Sequence, residues 1–357
     1  NWYRCFATAY KQRNYSKTPA VLVMAFTFEQ IIADIRNRVY YPIYFLMGDE
    51  PYFIDTISDM LEEQVLDPAD KAFNQMVVYG RDVDVETIVN QARNYPMTGD
   101  YQVLIVKEAQ DIKEIDKLED YIEKLPETTI LIINFKYKKL DKRRLLAKKV
   151  AARGVLFESK KIYENHIPKW IEQYLAQKNY TITPKACQMI ADFLGNDLHK
   201  VRNELEKLVI ALPAGKRITD EDVERNIGIS KDYNVFELQK AIGSRDILRA
   251  NQIVRFFGDN PKDYPLLLTT IILYGFFTKI LKVHYAHDKS RNNLASLLGM
   301  NPFFVQDMQQ AARNFSIADA VRCIGVLREY DLKSKGYKSQ DIGADELYRE
   351  MLFKLLH

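Results

Sequence analysis

The sequence lacks the features that mark several common protein classes. Its 357 residues include three scattered cysteines, Cys5, Cys187 and Cys323, with no CxxC pair, which argues against a disulfide framework or a zinc ribbon and favours the reducing cytosol. The net charge of +3 excludes a histone-like basic coat, although a local basic patch is compatible with it. The GxxxxGK[ST] motif of phosphate-binding loops is absent.

Long apolar runs are also missing. The longest, PLLLTTIILYGFFTKIL between Tyr264 and Leu281, contains three threonines and is shorter than the roughly 20 residues that a bilayer span requires. We therefore predict a buried helix at this position and no association with a membrane.

The first residues differ in composition from the rest of the chain. Residues 1–23 are basic, contain no acidic residue and lack the apolar core of a signal peptide. Met24 is followed by an amphipathic segment, FTFEQIIADIRN, which is typical of the start of a domain. We expect residues 1–23 to be disordered or an upstream leader, with a transit peptide as the alternative.

From Ile43 to about residue 160, strand-like runs alternate with helical patterns in units of about 30 residues. This alternation predicts a parallel sheet with helices on both faces. After the first strand, Ile54, Ile57, Ser58 and Leu61 fall on one face of a predicted helix. The segments predicted as strands are 43–47, 74–79, 102–106 and 129–133, and those predicted as helices include 85–93 and 115–124.

Beyond Glu158 the strand pattern disappears and helical spacing dominates. Residues 165–227 predict a small helical bundle, in which Thr183-Pro184 and Thr219-Asp220 are N-cap signals. A longer helical block follows from Val235. The predicted domains are therefore an α/β domain at 24–160, a small helical domain at 161–230 and a larger helical domain at 231–357.

The α/β domain has the layout of a nucleotide-binding fold without its chemistry. Where a phosphate loop would follow the first strand, Gly48 stands alone before Asp49 and Glu50, whose carboxylates would repel a triphosphate. Lys107 occupies the position of a Walker-B acid, which is incompatible with binding magnesium. Glu108 is interpreted as a solvated residue at the end of a strand.

Other polar residues give no sign of a catalytic, cofactor or metal site. Asn134 is predicted to form a turn after its strand. His284 and His287 are three positions apart with no third ligand near them in sequence, and no paired base accompanies any serine. Cys187 and Cys323 lie among apolar residues and are predicted to be small core residues.

Three segments carry a family resemblance: YFLMGDEPYFID, NYPMTGDYQVLIVKEAQ and FLGNDLHKVRNELEKL. Through them the chain from Met24 to His357 resembles the delta subunit of the bacterial DNA polymerase III clamp loader. The resemblance implies an AAA+-like α/β domain without a working phosphate loop, a helical lid domain and a C-terminal helical collar domain. In the third segment, Asn196 or Asp197 is predicted to cap a helix with a buried stripe at Leu198, Val201, Leu205 and Leu208.

The same resemblance implies a clamp-binding site at Tyr95, Pro96, Met97 and Thr98. In the family, two adjacent apolar side chains in this segment insert into a hydrophobic pocket of the sliding clamp. They correspond here to Met97, an adaptable thioether, and Thr98, where a large apolar residue is usual. The alternative is that Tyr95, Pro96 and Met97 pack this loop onto the core.

Residues 136–153 contain nine Lys or Arg residues and one acid, Asp141. A helix is predicted from Leu140 onward, with Leu140, Ala147 and Val150 facing inward. The basic side chains are interpreted either as contacts to DNA phosphates, or as a solvated face or a contact to an acidic neighbouring subunit. The candidate residues are Lys138, Lys139, Lys142, Arg143, Arg144, Lys148 and Lys149.

The resemblance implies a cytoplasmic bacterial subunit that binds the sliding clamp and helps to open it for loading onto primed DNA. ATP would be hydrolysed by sibling ATPase subunits, which the third domain would join, together with delta-prime, in the collar. A DNA polymerase label would belong to the holoenzyme, since no nucleotidyltransferase carboxylate set is visible. Two alternatives stay open: an active AAA+ ATPase, and a DNA-binding scaffold that uses residues 136–153.

Overall fold

The computed structural model describes residues 26–337 and 342–357. The chain divides into two compact units, with the division between Lys161 and Ile162. The predicted leader at 1–23 lies outside the described residues. The predicted domain limits at 160 and 230 stay predictions.

The first unit is built on a five-stranded parallel sheet in the order β2-β3-β4-β1-β5. The central strands are buried along almost their whole length. Continuous apolar runs are typical of parallel strands because helices cover both faces. The strands are β1 (Ile43–Gly48), β2 (Gln75–Tyr79), β3 (Gln102–Lys107), β4 (Thr129–Lys136) and β5 (Val155–Ser159).

Each face of the sheet has its own apolar core. Along β1, Ile43, Phe45 and Met47 contribute to one core, and Tyr44 and Leu46 contribute to the other. This separation follows from the two-residue period of a strand. Four helices contribute apolar side chains to these cores: α1 (Phe28–Arg36), α2 (Pro51–Gln64), α4 (Val85–Ala92) and α5 (Leu145–Arg153). Helix α3 (Pro68–Asn74) precedes β2 and buries Asn74.

The predicted helix at 115–124 is wrong, because this segment forms two 3-10 helices, Ile115–Asp120 and Ile122–Lys124. Glu114 begins it in the left-handed conformation, with φ +58°. Pro126 limits its other end, since the residue before a proline is disfavoured in the α conformation. A further 3-10 turn, Ala109–Asp111, follows β3.

Two other details of the first unit were predicted incorrectly. Asn134 lies inside β4, buried, and its side-chain amide donates to Ser58 Oγ at 2.9 Å. Strand β5 was not predicted, because only three of its five residues are buried and the alternation is short. Both errors come from contacts between elements distant in sequence, namely Asn134 with Ser58 and β5 with β1.

Helix α5 begins at Leu145, not at Leu140 as predicted. The Asp141 carboxylate accepts a hydrogen bond from Arg143 N at 2.9 Å, which forms a local turn before the helix. The inward-facing residues predicted for this segment are nevertheless buried, namely Leu140, Ala147 and Val150.

The second unit is mainly helical. One short parallel pair, β6 (Thr181–Ile182) and β7 (Arg217–Ile218), contradicts the prediction that strands end with Glu158; two residues are too few for a periodic pattern. The 3-10 turns here are Glu164–His166 and Pro302–Phe304. The helices are α6 (Ile167–Gln177), α7 (Pro184–Leu194), α8 (Leu198–Ala211), α9 (Asp220–Ile227), α10 (Val235–Gly243), α11 (Ile247–Asp259), α12 (Leu266–Tyr285), α13 (Arg291–Leu298), α14 (Val305–Asn314), α15 (Ile317–Ser334) and α16 (Ala344–Leu356).

The predicted helix caps in this unit are confirmed. Thr183 accepts from Ala186 N at 3.2 Å, and Thr219 forms a capping box with Asp222. Asp197 is the N-cap of α8 and accepts from Lys200 N at 3.1 Å. The predicted stripe of α8 is buried, with Leu198, Val201, Leu205 and Leu208 at 0–1% exposure.

Helix α12 corresponds to the longest apolar run. Within the described ranges it is the one helix long and apolar enough to cross a membrane, judged by length and composition alone, and 44% of its most apolar window is buried. Leu273, Phe277 and Ile280 lie in the core, while Ile271 and Tyr274 are exposed. The prediction of a buried helix is therefore correct for one face of α12 only.

Replacement of Gly48 by Ala should destabilise the first unit by at least about 3 kcal/mol. Gly48 has φ +128°, and a Cβ atom there would lie 2.1 Å from the Ser159 carbonyl oxygen. The measurement is chemical denaturation followed by far-ultraviolet circular dichroism. Gly275→Ala in α12 is the control, because nothing lies within 4 Å of its added Cβ; equal stability of the two variants would contradict this account.

Candidate functional site

The loop between α4 and β3 contains the four residues predicted to bind the clamp, and its backbone is held by α3. Asn74, 3% exposed, accepts from Met97 N through Oδ1 at 2.8 Å. Its Nδ2 donates to the Thr98 carbonyl oxygen and to Thr98 Oγ1, the latter at 3.2 Å. The Thr98 hydroxyl donates in turn to Asp70 Oδ1 at 2.6 Å. A buried amide thus fixes two consecutive loop residues.

Gly99 completes this arrangement. Its φ is +67°, a left-handed conformation that favours glycine. A Cβ atom at this position would lie 3.0 Å from Asp70 Oδ2. The loop can therefore turn closely over α3 before it enters β3.

The side chains of the loop point away from the core while its backbone is held. Tyr95 is 75% exposed and Met97 is 76% exposed. The alternative prediction, in which Tyr95, Pro96 and Met97 pack the loop onto the core, is therefore wrong for Tyr95 and Met97. Pro96 is partly buried. Thr98 contributes no apolar group of the usual size, and its hydroxyl is engaged by α3.

Sequence reasoning missed Phe73, which precedes Asn74 at the end of α3 and is 65% exposed. The residues three and four positions before it are Asp70 and Ala69. A large aromatic without a large apolar neighbour on its own helix face is the signal that marks it as a surface residue. Edge strand β2 also exposes Met76, Val77 and Tyr79.

The other end of the sheet is where a nucleotide-binding fold would hold phosphates. There Glu50 caps α2, and its carboxylate accepts from Tyr52 N at 3.3 Å. Glu50 N donates to Ser159 Oγ at 3.2 Å, and Glu50 is only 5% exposed. A helix N-terminus attracts anions, and this one is already occupied by a carboxylate of the chain itself.

The neighbouring strand ends form ion pairs. Lys107, in the Walker-B position, lies 3.1 Å from Glu62. Lys136 pairs with Asp55 at 2.8 Å and with Glu108 at 2.9 Å. Glu108 follows the end of β3 and its side chain is 37% exposed, as interpreted, but it also forms an ion pair that the sequence did not indicate. Burial by itself would lower the pKa of Lys136, but hydrogen bonds to Asp55 and Glu108 outweigh it, and the pKa lies above its ordinary value.

Most of the basic segment 136–153 is matched by acceptors of the same chain. The hydrogen bond from Lys142 lowers the pKa of the Glu158 carboxyl below its ordinary value. Lys148 is exposed on α5. The remaining pairs are Lys138 with the Gln110 carbonyl, Lys139 with Asp49, Arg143 with Asp141, Arg144 with Asp116, and Lys149 with the Glu119 carbonyl.

This pairing weakens the case for a phosphate contact, because charge that is neutralised locally attracts DNA less. The seven candidate residues remain a prediction for DNA or subunit contact. The structure pairs five of them with acidic side chains, and Lys142 lies 2.6 Å from Glu158. The five are Lys139, Lys142, Arg143, Arg144 and Lys149.

No group of three or more His, Cys, Asp or Glu residues suited to a metal occurs in the part of the chain that the structure describes. His284 Nε2 lies 2.8 Å from the Phe315 carbonyl oxygen, a contact within the core of the second unit. Cys187 and Cys323 are buried as predicted, and burial raises the pKa of both thiols, that of Cys323 to about 11. A neutral buried thiol is unsuited to nucleophilic chemistry.

Known proteins are similar to this chain in both of its compact units. The family model "DNA polymerase III, delta subunit" matches residues 44–160, and the model "DNA polymerase III delta subunit, C-terminal domain" matches residues 232–352. The DNA polymerase III subunit delta of Bacillus subtilis is 24% identical over 334 residues, which cover 90% of this chain and 95% of that protein. The probable DNA polymerase III subunit delta of Aquifex aeolicus is 20% identical and covers 87% of this chain and 90% of its own length.

Among solved structures, the DNA clamp loader delta protein of Bacillus subtilis has the same fold. Its TM-score is 0.55 at 22% identity, with 92% of this chain and 99% of that chain covered. The two family models lie in different compact units, and together they account for most of the described chain. The chain belongs to the DNA polymerase III delta subunit family, a family of replication proteins.

Proposed function

We propose that this chain is the clamp-binding subunit of a bacterial clamp loader and that it holds one face of the sliding clamp through the loop Tyr95–Thr98. The observation that carries this proposal is Met97, which is 76% exposed on a backbone fixed by Asn74. An apolar side chain on a backbone that is already held in place is suited to entering a pocket, because the loop backbone loses little conformational entropy on binding. Its thioether adapts to the shape of the pocket.

The subunit needs only to bind the open ring more tightly than the closed ring. That difference in affinity shifts the equilibrium of the clamp toward opening, and no covalent step by this chain is involved. ATP bound and hydrolysed by sibling subunits would control whether the loop is accessible. Primed DNA is reached through the complex.

Met97 by itself does not provide enough binding energy for a stable complex. Burying one methionine contributes about 1.5–3 kcal/mol, whereas a micromolar complex corresponds to about 8 kcal/mol. Other surface around the loop must therefore take part, and Tyr95, 75% exposed, is one such residue.

The proposed lack of intrinsic enzymatic activity is supported by the carboxyl ends of the strands. Glu50 occupies the N-terminus of α2, and Lys107 is paired with Glu62 where a magnesium ligand would be needed. Both features oppose binding of a magnesium–ATP complex. Polymerase activity would belong to the holoenzyme, and the chain would act in the bacterial cytoplasm.

Helix α12 supports the proposed role of the C-terminal residues in a collar with the ATPase subunits and delta-prime. Ile271 is 45% exposed and Tyr274 is 52% exposed, and they lie three positions apart on one face of the helix. The opposite face is in the core through Leu273 and Phe277. An apolar helix with one uncovered face is typical of an interaction surface between subunits.

Met97→Asp should weaken binding to the cognate sliding clamp by at least about tenfold, because a carboxylate is costly to desolvate in an apolar pocket. Surface plasmon resonance with immobilised clamp measures the effect. Leu145→Asp is the matched control, since Leu145 is 52% exposed at the start of α5. Clamp binding by Met97→Asp equal to that of wild type would refute the proposed site.

Isolated protein should neither bind nor hydrolyse ATP in the presence of magnesium. Isothermal titration calorimetry tests binding, and phosphate release tests hydrolysis. Glu50→Gln should remain inactive, because the loop still lacks the lysine and the hydroxyl residue of a phosphate loop. Stoichiometric ATP binding by wild type would instead support the alternative of an active AAA+ ATPase.

Tyr274→Asp should prevent co-elution with the ATPase subunits in size-exclusion chromatography and leave clamp binding unchanged. The added carboxylate would be buried in an apolar contact without a partner. Ile210→Asp is the control, since Ile210 is 82% exposed on α8 in the same compact unit. Normal assembly by Tyr274→Asp would show that this face of α12 does not belong to the collar contact.

A further inference from the structure

We propose that Phe73 is a second apolar anchor of the same clamp contact, provided by α3 instead of the loop. This inference rests on the proposed function. It names the residue that provides the second large apolar side chain, which Thr98 does not provide. Phe73 is 65% exposed, close to the 76% of Met97. The partner is the apolar surface of the sliding clamp that adjoins the pocket for Met97.

Thr98 is not available as an anchor, because its side chain is already used within the chain. Its hydroxyl accepts from Asn74 Nδ2 at 3.2 Å and donates to Asp70 Oδ1 at 2.6 Å. To enter an apolar pocket it would have to break both hydrogen bonds and leave Asp70 without this donor. Thr98 therefore fixes the loop, and the contact needs a second large apolar side chain from another element.

Phe73 is the neighbour in sequence of Asn74, the residue whose side-chain hydrogen bonds fix the backbone of Met97. It directly precedes Asn74, and consecutive Cα atoms are about 3.8 Å apart. The Asn74 side chain binds the amide of Met97 and the carbonyl of Thr98. Phe73 and Met97 are consequently connected through one buried residue, so the backbone of α3 at Phe73 and the backbone of the loop at Met97 are held to each other.

The chemistry of Phe73 suits an anchor better than a solvated surface. Phenylalanine has no polar atom to interact with water, and its two χ angles lose little entropy on binding. The residues on either side of it in α3, Lys71, Ala72 and Asn74, include no other large apolar side chain. A single exposed aromatic beside polar neighbours fits the arrangement of binding hot spots, in which a few large side chains dominate the affinity.

Affinity of the full chain for the cognate clamp, measured for Phe73→Ala, Met97→Ala and the double variant, tests the proposal. Each single substitution should weaken binding by about tenfold, and the double variant should deviate from the product of the two effects, because contacts that share a support are coupled. Phe353→Ala is the matched control: it is also 65% exposed but lies in the other compact unit. Circular dichroism should show all variants folded.

The possible results separate this inference from the proposed function. If Met97→Ala weakens binding and Phe73→Ala does not, Phe73 is not an anchor while the clamp-binding loop stands. If neither substitution weakens binding to the clamp, the proposed clamp contact through the loop Tyr95–Thr98 is itself refuted. If Phe73→Ala changes self-association in analytical ultracentrifugation and leaves clamp affinity intact, Phe73 contacts a second copy of this chain and the inference is overturned.

Discussion

The first unit depends on one constraint, which is that both faces of a parallel sheet must be covered by apolar side chains. Strands β1 and β4 are buried almost throughout, and alternate residues of β1 belong to separate cores on the two faces. With both faces of the central strands covered, the two ends of the sheet are the main places left for polar chemistry or for loops that contact partners. The two sites considered above lie at these opposite ends.

At the carboxyl ends of the strands, groups that could bind a phosphate are occupied by acidic side chains of the same chain. In a nucleotide-binding fold this edge attracts phosphates through helix N-termini and lysines. Here Glu50 occupies the N-terminus of α2, and Lys136 lies between Asp55 and Glu108. The positive charge that remains in segment 136–153 is largely paired as well, so the fold is retained while its ligand is replaced by internal contacts.

At the amino ends, the same scaffold presents apolar side chains on a fixed backbone. Asn74 is the residue on which this arrangement depends, because its amide satisfies both the Met97 amide and the Thr98 carbonyl. A buried asparagine is tolerated when its hydrogen bonds are made. The loop is thereby ordered before it meets a partner, which lowers the entropic cost of association.

The sequence by itself determined the main organisation of this protein. Apolar runs located four strands of the sheet, Thr183, Asp197 and Thr219 marked helix starts, and the missing phosphate loop and three short segments indicated the family. These features are local, because strand period, capping and motif spacing depend on residues close together in the chain.

Only the tertiary structure decided what the candidate residues do. The hydrogen bonds between Asn74 and the loop join residues that are 23 and 24 positions apart in the sequence. Lys136 and Glu108 are 28 positions apart, as are Arg144 and Asp116. No periodic pattern encodes such pairings. The link between Asn74 and the loop and the pairing of the basic segment were therefore beyond sequence reasoning, since both depend on which distant side chains the fold brings together.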